Sequence, residues 1–194
     1  MKKRVYLVTS GDLRQSANQT CWPAQAELEA RLTKVFSDAG CELIRAFPYN
    51  ESLKHGFISS QREGMSIFAG IPAEAPLLFA TAAWQYTHHV LPGLRTHRGP
   101  ILTAANWSGQ WPGLVGLLNL NGSLVKAGIA FSTIWSESFE DEFALNAIRE
   151  WIADGKVQHD LSHVHHLETS SLPSDERELG TGLAHDLMRQ KVIL

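Results

Sequence analysis

Two apolar runs in this chain break into aromatic and amide side chains. Leu77–Ala83 gives way to Trp84-Gln85-Tyr86, and Ile101–Ala105 gives way to Asn106-Trp107. In an alternating α/β sheet, strand ends are where side chains face a ligand crevice. Aromatics and amides crowding two such ends make a binding edge; the alternative is that they pack the edge of the sheet. A third stretch, SGDLRQSANQT (residues 10–20), follows the first strand-like run. Arg14 is its one fixed cation, suited to clamping an anion or a polyol hydroxyl, or else a plain surface arginine. Flavodoxin-like folds cradle phosphates at this position, but the stretch has one glycine and neither GxGxxG nor GxxxxGK[ST].

Other titratable groups have plainer explanations. His159 and His163 are four apart, a spacing that places two imidazoles on one helical face, as zinc accepts. His165 and His166 follow, yet no cysteine is near and the segment is weakly helical, so a solvated loop is the favoured reading. His88 and His89 diverge by about 100° on a helix and do not share a metal, although either can line a pocket. Glu137, Glu140, Asp141 and Glu142 suit the start of a helix capped by Ser136 or Ser138, which accounts for them without a catalytic carboxylate. No Ser-His-Asp order, CxxC or HExxH is present.

These groups need a scaffold, and the chain is long enough to supply one. Its 194 residues are 44% apolar with a net charge of −3, enough for a domain burying roughly 70% of its unfolded surface. The 17 basic and 20 acidic residues are spread without a basic block, so neither nucleic acid nor an anionic membrane is an expected partner. No apolar run approaches the length of a membrane span, and MKKRVYLVTSGD has too short an apolar run for a signal peptide. Cys21 and Cys41 are no disulfide framework, so a reduced cytoplasmic setting is expected.

The pattern predicts strands at 4–9, 42–47, 77–83, 101–105 and 129–135. Between them come a helix with Pro23 in its first turn and Gly40 as its stop, a broken helix within 51–75, and a helix begun by His88, Val90 and Leu91. A further helix from about Pro112 to Ala127 is expected to be interrupted at Asn119–Gly122, and an amphipathic one runs to Asp154-Gly155. Alternating strands and helices imply a three-layer α/β domain with a mostly parallel five-stranded sheet, flavodoxin-like or Rossmann-like. The expected organisation is this domain at 1–155, a polar connection at 156–173, and at 174–194 a helix leading into the first residues of a strand, the start of a truncated second domain.

Arg14-Gln15-Ser16-Ala17-Asn18-Gln19-Thr20 resembles the RxSxxQT segment after the first strand of L-fucose isomerase. Thr81-Ala82-Ala83-Trp84-Gln85-Tyr86 resembles that family's TPxWxY segment, and GPILTAANWSGQWPGLVGLLNLNGSL (residues 99–124) is similar to the next strand and helix of the L-fucose and L-arabinose isomerase group. The resemblance implies an N-terminal domain of an enzyme that interconverts aldoses and ketoses through an enediol. A divalent metal, usually manganese, and paired carboxylates belong to later domains of such a parent. It further implies that Arg14 bonds substrate hydroxyls and Trp84 walls the pocket, with Gln19 and Tyr86 as further contacts; Asn106, at the end of the second apolar run, is the remaining candidate for substrate binding. The parent would be a homo-oligomer whose sites are shared between subunits, and this chain alone would be inactive. Thr87-His88-His89 departs from the small and acidic residues of L-fucose isomerase, so fucose is not implied. Rival readings are a stand-alone sugar-binding module and a flavodoxin-like flavin or nucleotide protein.

Overall fold

The computed structural model describes residues 3–84, 86–165 and 173–189. Five strands, β1 (Lys3–Val8), β2 (Cys41–Arg45), β3 (Leu77–Thr81), β4 (Ile101–Asn106) and β5 (Ser132–Ser136), form one sheet in the order β2-β1-β3-β4-β5. Every pairing is parallel, with Tyr6 opposite Leu77 and Leu78 opposite Leu102. This is the flavodoxin-like order, whose topological switch point lies between β1 and β3. All five residues of β3 are buried, as expected of a central parallel strand covered on both faces.

Alternate residues of the strands feed two cores. Val5, Leu7, Leu78, Ala80, Leu102 and Ile134 pack under α1 (Gln15–Asp38) and α5 (Glu142–Asp154), where Phe36 meets Trp151 edge to face at 6.2 Å. Val8, Leu77, Phe79 and Ile101 pack under α2 (Gln61–Ala69), α3 (Leu91–Leu94) and α4 (Leu114–Lys126).

Several element boundaries differ from the sequence expectation, each for a local reason. Helix α1 begins at Gln15, so Pro23 lies inside it rather than in its first turn. The Asn18 side chain sets this early start. It accepts the Asp12 N–H at 2.7 Å and donates to the Asp12 carbonyl at 2.9 Å, closing the turn before the helix. Helix α4 runs unbroken through Asn119–Gly122. Asn121 turns to the sheet, accepting from Thr103 at 2.8 Å and donating to Thr133 at 2.9 Å, while Asn119 accepts from Thr87 in the segment after β3. Strand β5 starts at Ser132, because the backbone before it is spent closing α4: the Gly128 and Ile129 N–H groups donate to the Val125 and Leu124 carbonyls at 3.1 and 3.0 Å. Helix α5 is capped by Asp141, which accepts the Ala144 N–H at 2.9 Å; Ser136 donates to Asp141 instead of capping.

The chain divides into two compact units, residues 1–158 and 159–194. The second holds α6 (Ser174–Arg189), on which Leu179, Leu183 and Leu187 are exposed. The strand expected at 191–194, His166 and Gln85 lie outside the described residues. Among the described residues, no helix is long and apolar enough to cross a membrane.

Candidate functional site at the carboxyl edge of the sheet

Beyond Val8 the backbone of β1 stays paired on both sides. Ile58 N–H donates to the Thr9 carbonyl at 3.0 Å and Gly11 N–H to the Ile58 carbonyl at 2.9 Å, while Tyr86 N–H donates to the Gly11 carbonyl at 3.1 Å. Gly11 is required by this crowding. A Cβ there would stand 2.5 Å from Asn18 Oδ1 and 2.6 Å from Phe57 Cβ. The chain then turns out over the sheet edge as Asp12-Leu13-Arg14.

Asp12 and Arg14 form a two-pronged pair. Arg14 Nε donates to Oδ1 at 3.0 Å and Nη2 to Oδ2 at 3.0 Å, and the Arg14 N–H donates to Oδ1 at 2.8 Å. The aspartate side chain is 8% exposed and that of the arginine 74%. A buried carboxylate therefore fixes an exposed guanidinium, and a parallel fork of this kind is geometrically demanding. The Arg14 hydrogen bond holds the Asp12 carboxyl below its ordinary range against the opposing effect of burial.

The pair lines a cleft of about 430 Å³ at the β1/β3 switch point, with Asn18, Cys21, Trp84 and Trp111 among its other walls. Trp84 is 48% exposed and Trp111 37%. The volume lies within the range of about 300–1,000 Å³ typical of small-molecule sites. Cys21 lines the cleft, and burial, then Asp12, push its thiol up.

Two buried supports stand behind the cleft. Gln25 donates to the Ala80 carbonyl at 3.1 Å and accepts the Ala82 N–H at 3.0 Å, tying α1 to the end of β3. It also donates to Glu29 at 2.9 Å. Arg45 completes this chain, with Nε 2.6 Å from one Glu29 oxygen and Nη2 3.1 Å from the other. On the far side of Tyr86, Ser10 Oγ donates to the Tyr86 carbonyl at 2.6 Å, and His89 Nδ1 lies 3.2 Å from the Ile58 carbonyl. That acceptor places the ring proton on Nδ1, leaving a buried Nε2 without a partner. Burial, then His88, depress the His89 pKa.

Of the residues singled out from sequence, Arg14 and Trp84 share the cleft. Tyr86 buttresses Trp84 edge-on, with ring centroids 6.3 Å apart. Gln19 is spent on another task, donating to the Leu53 carbonyl at 3.0 Å to hold the loop after β2. Asn106 shapes the loop after β4. It donates to the Ser108 carbonyl at 2.7 Å and the Trp111 carbonyl at 3.2 Å, and accepts the Gly113 N–H at 3.2 Å. Sequence reasoning missed Asp12, Asn18 and Trp111. The Asp-x-Arg spacing was the available signal for the first, since an aspartate readily bonds the N–H two residues on.

No protein-family model matches the chain, and no curated protein matches it either. Among the described residues no three or more His, Cys, Asp or Glu side chains are grouped to hold a metal ion. The described histidines of the 159–166 segment form no such site.

Proposed function

We propose that the carboxyl-edge cleft binds a sugar or polyol, and that the chain serves as the N-terminal domain of a cytoplasmic, homo-oligomeric enzyme of the L-fucose/L-arabinose isomerase kind. The observation carrying this reading is the placement of Arg14, locked by Asp12, beside Trp84 in one cleft. These are the two segments whose sequences resemble that family. A fixed guanidinium offers directed donors to neighbouring hydroxyl oxygens. A half-exposed indole covers the C–H face of a sugar ring.

In such a parent, manganese would polarise the substrate oxygens during aldose–ketose conversion. The donor set among the described residues does not fit that metal, so no step of the reaction is assigned to these residues. Their part is to bind and orient. The same observation favours, as a second reading, a stand-alone sugar-binding module.

Calorimetric titration with L-fucose, L-arabinose, their alditols and flavin mononucleotide tests the proposal. Saturable sugar or polyol binding is expected, weakened about tenfold by Arg14→Ala or Trp84→Ala, a loss of about 1.4 kcal/mol. Binding of the flavin with no response to any sugar would overturn it. Turnover of an aldose by this chain with manganese would overturn the purely binding role.

A further inference from the structure

A second cleft adjoins the first. It has a volume of about 710 Å³ and is lined by Glu27 and Arg31 of α1, by Ser108 and Gln110 after β4, and by Glu137 and Ser138 after β5. Thr20 and Trp111 belong to the walls of both clefts, so the two meet along α1 with Trp111 at the junction. The second cleft is held by its own bonds: Ser108 Oγ donates to Glu137 Oε1 at 3.0 Å, joining the loops after β4 and β5. The Asn106 bonds that fix the Trp111 carbonyl make one loop the wall of both spaces.

A single sugar ring fills only the first of these spaces. We propose that the two clefts form one groove whose ligand is a reducing disaccharide or similar two-unit glycoside, with its aldose end beside Arg14 and Trp84 and its second unit between Trp111 and Glu137. This rests on the sugar-binding reading of the first cleft and extends it to the substrate class. Charge separates the candidates. Arg14 is answered by Asp12 at 3.0 Å and Arg31 by Glu27 at 2.5 Å, which leaves the Glu137 carboxylate as the excess charge of the groove. A phosphorylated sugar or sugar acid would meet no spare cation there. A neutral chain of hydroxyl donors suits a carboxylate, the Gln110 amide and the Ser138 hydroxyl.

The test compares lactose, cellobiose, maltose and melibiose with galactose and glucose by calorimetry, on the wild type and on Pro23→Trp. Pro23 is an exposed, uncharged position on α1 that borders the second cleft and not the first, so an indole there fills the second space and leaves the Glu27–Arg31 pair and the first cleft as they are. At least one disaccharide is expected to bind about tenfold more tightly than its constituent monosaccharides. Pro23→Trp is expected to erase that advantage while leaving monosaccharide affinity unchanged. Disaccharides no tighter than monosaccharides, or an advantage that survives Pro23→Trp, would overturn the two-unit groove and leave the first site standing. Absence of any sugar binding would overturn both.

Discussion

Replacing Arg45 by Met should unfold the support beneath the cleft more severely than any surface change. Its guanidinium reaches both Glu29 oxygens, the Phe47 carbonyl at 2.9 Å and the Gly56 carbonyl at 2.7 Å. It also lies 5.1 Å from the Trp22 ring centroid and 4.6 Å from that of Phe47. The side chains of Glu29 and Arg45 are 9% and 24% exposed. Removing one partner of a buried pair costs about 3–5 kcal/mol, because the other charge stays behind in a dry site. With Arg45 keeping some access to water, the lower end applies. At roughly 2–4 °C per kcal/mol for a domain of this size, the melting temperature should fall by about 6–12 °C. Urea denaturation of Arg45→Met, Glu29→Leu and the double variant checks the reasoning. Removing both charges removes the stranded one, so the double variant should be more stable than Arg45→Met alone. A loss under about 1 kcal/mol in Arg45→Met, or a double variant equal to the sum of the singles, would refute the account of a buried, coupled pair.

Other consequences follow from the same geometry. Gly113→Ala places a Cβ 1.8 Å from the Thr81 carbonyl oxygen and 2.7 Å from Asn106 Oδ1; with strand backbone as the nearest obstacle, a loss of about 1–3 kcal/mol is expected in urea melts. Asn106→Ala frees the 107–112 loop and strands the Gly113 N–H, so hydrogen exchange should rise there with a stability loss of about 1–3 kcal/mol. Burial depresses the pKa values of His55 and His89. Their unfolded forms take up protons that the native forms refuse, so their stabilising effect is complete above the ordinary histidine range and is lost as pH falls through it toward the folded values. The expected slope is at most about 1.4 kcal/mol per pH unit for each ring below about pH 6.5, and it should flatten in His89→Gln.

The sheet was legible because its strands are short apolar runs bounded by turn residues, and the alternation with helices identified the fold class. The start of α1 was hidden because Gln15–Thr20 is polar and Pro23 mimics a first-turn proline. What begins that helix is the Asn18–Asp12 bond pair, which periodicity does not report. The asparagines of α4 looked like a break because their threonine partners lie on other elements, far away in sequence. The same limit applies to the cleft. Arg14 and Trp84 stand out by type, whereas Asp12 and Trp111 matter only through the fold that brings residues 12, 14, 84 and 111 together.

The central claim is that sugars occupy the β1/β3 cleft, and the indole N–H resonances of the protein test it most directly. Trp84 and Trp111 line the cleft, while Trp151 is 1% exposed in the core and serves as an internal reference. Titration with L-arabinose or L-fucose should shift the Trp84 and Trp111 signals saturably and leave Trp151 in place, and the shifts should weaken in Arg14→Ala. Indole signals of Trp84 and Trp111 that stay fixed through a full sugar titration would contradict the account.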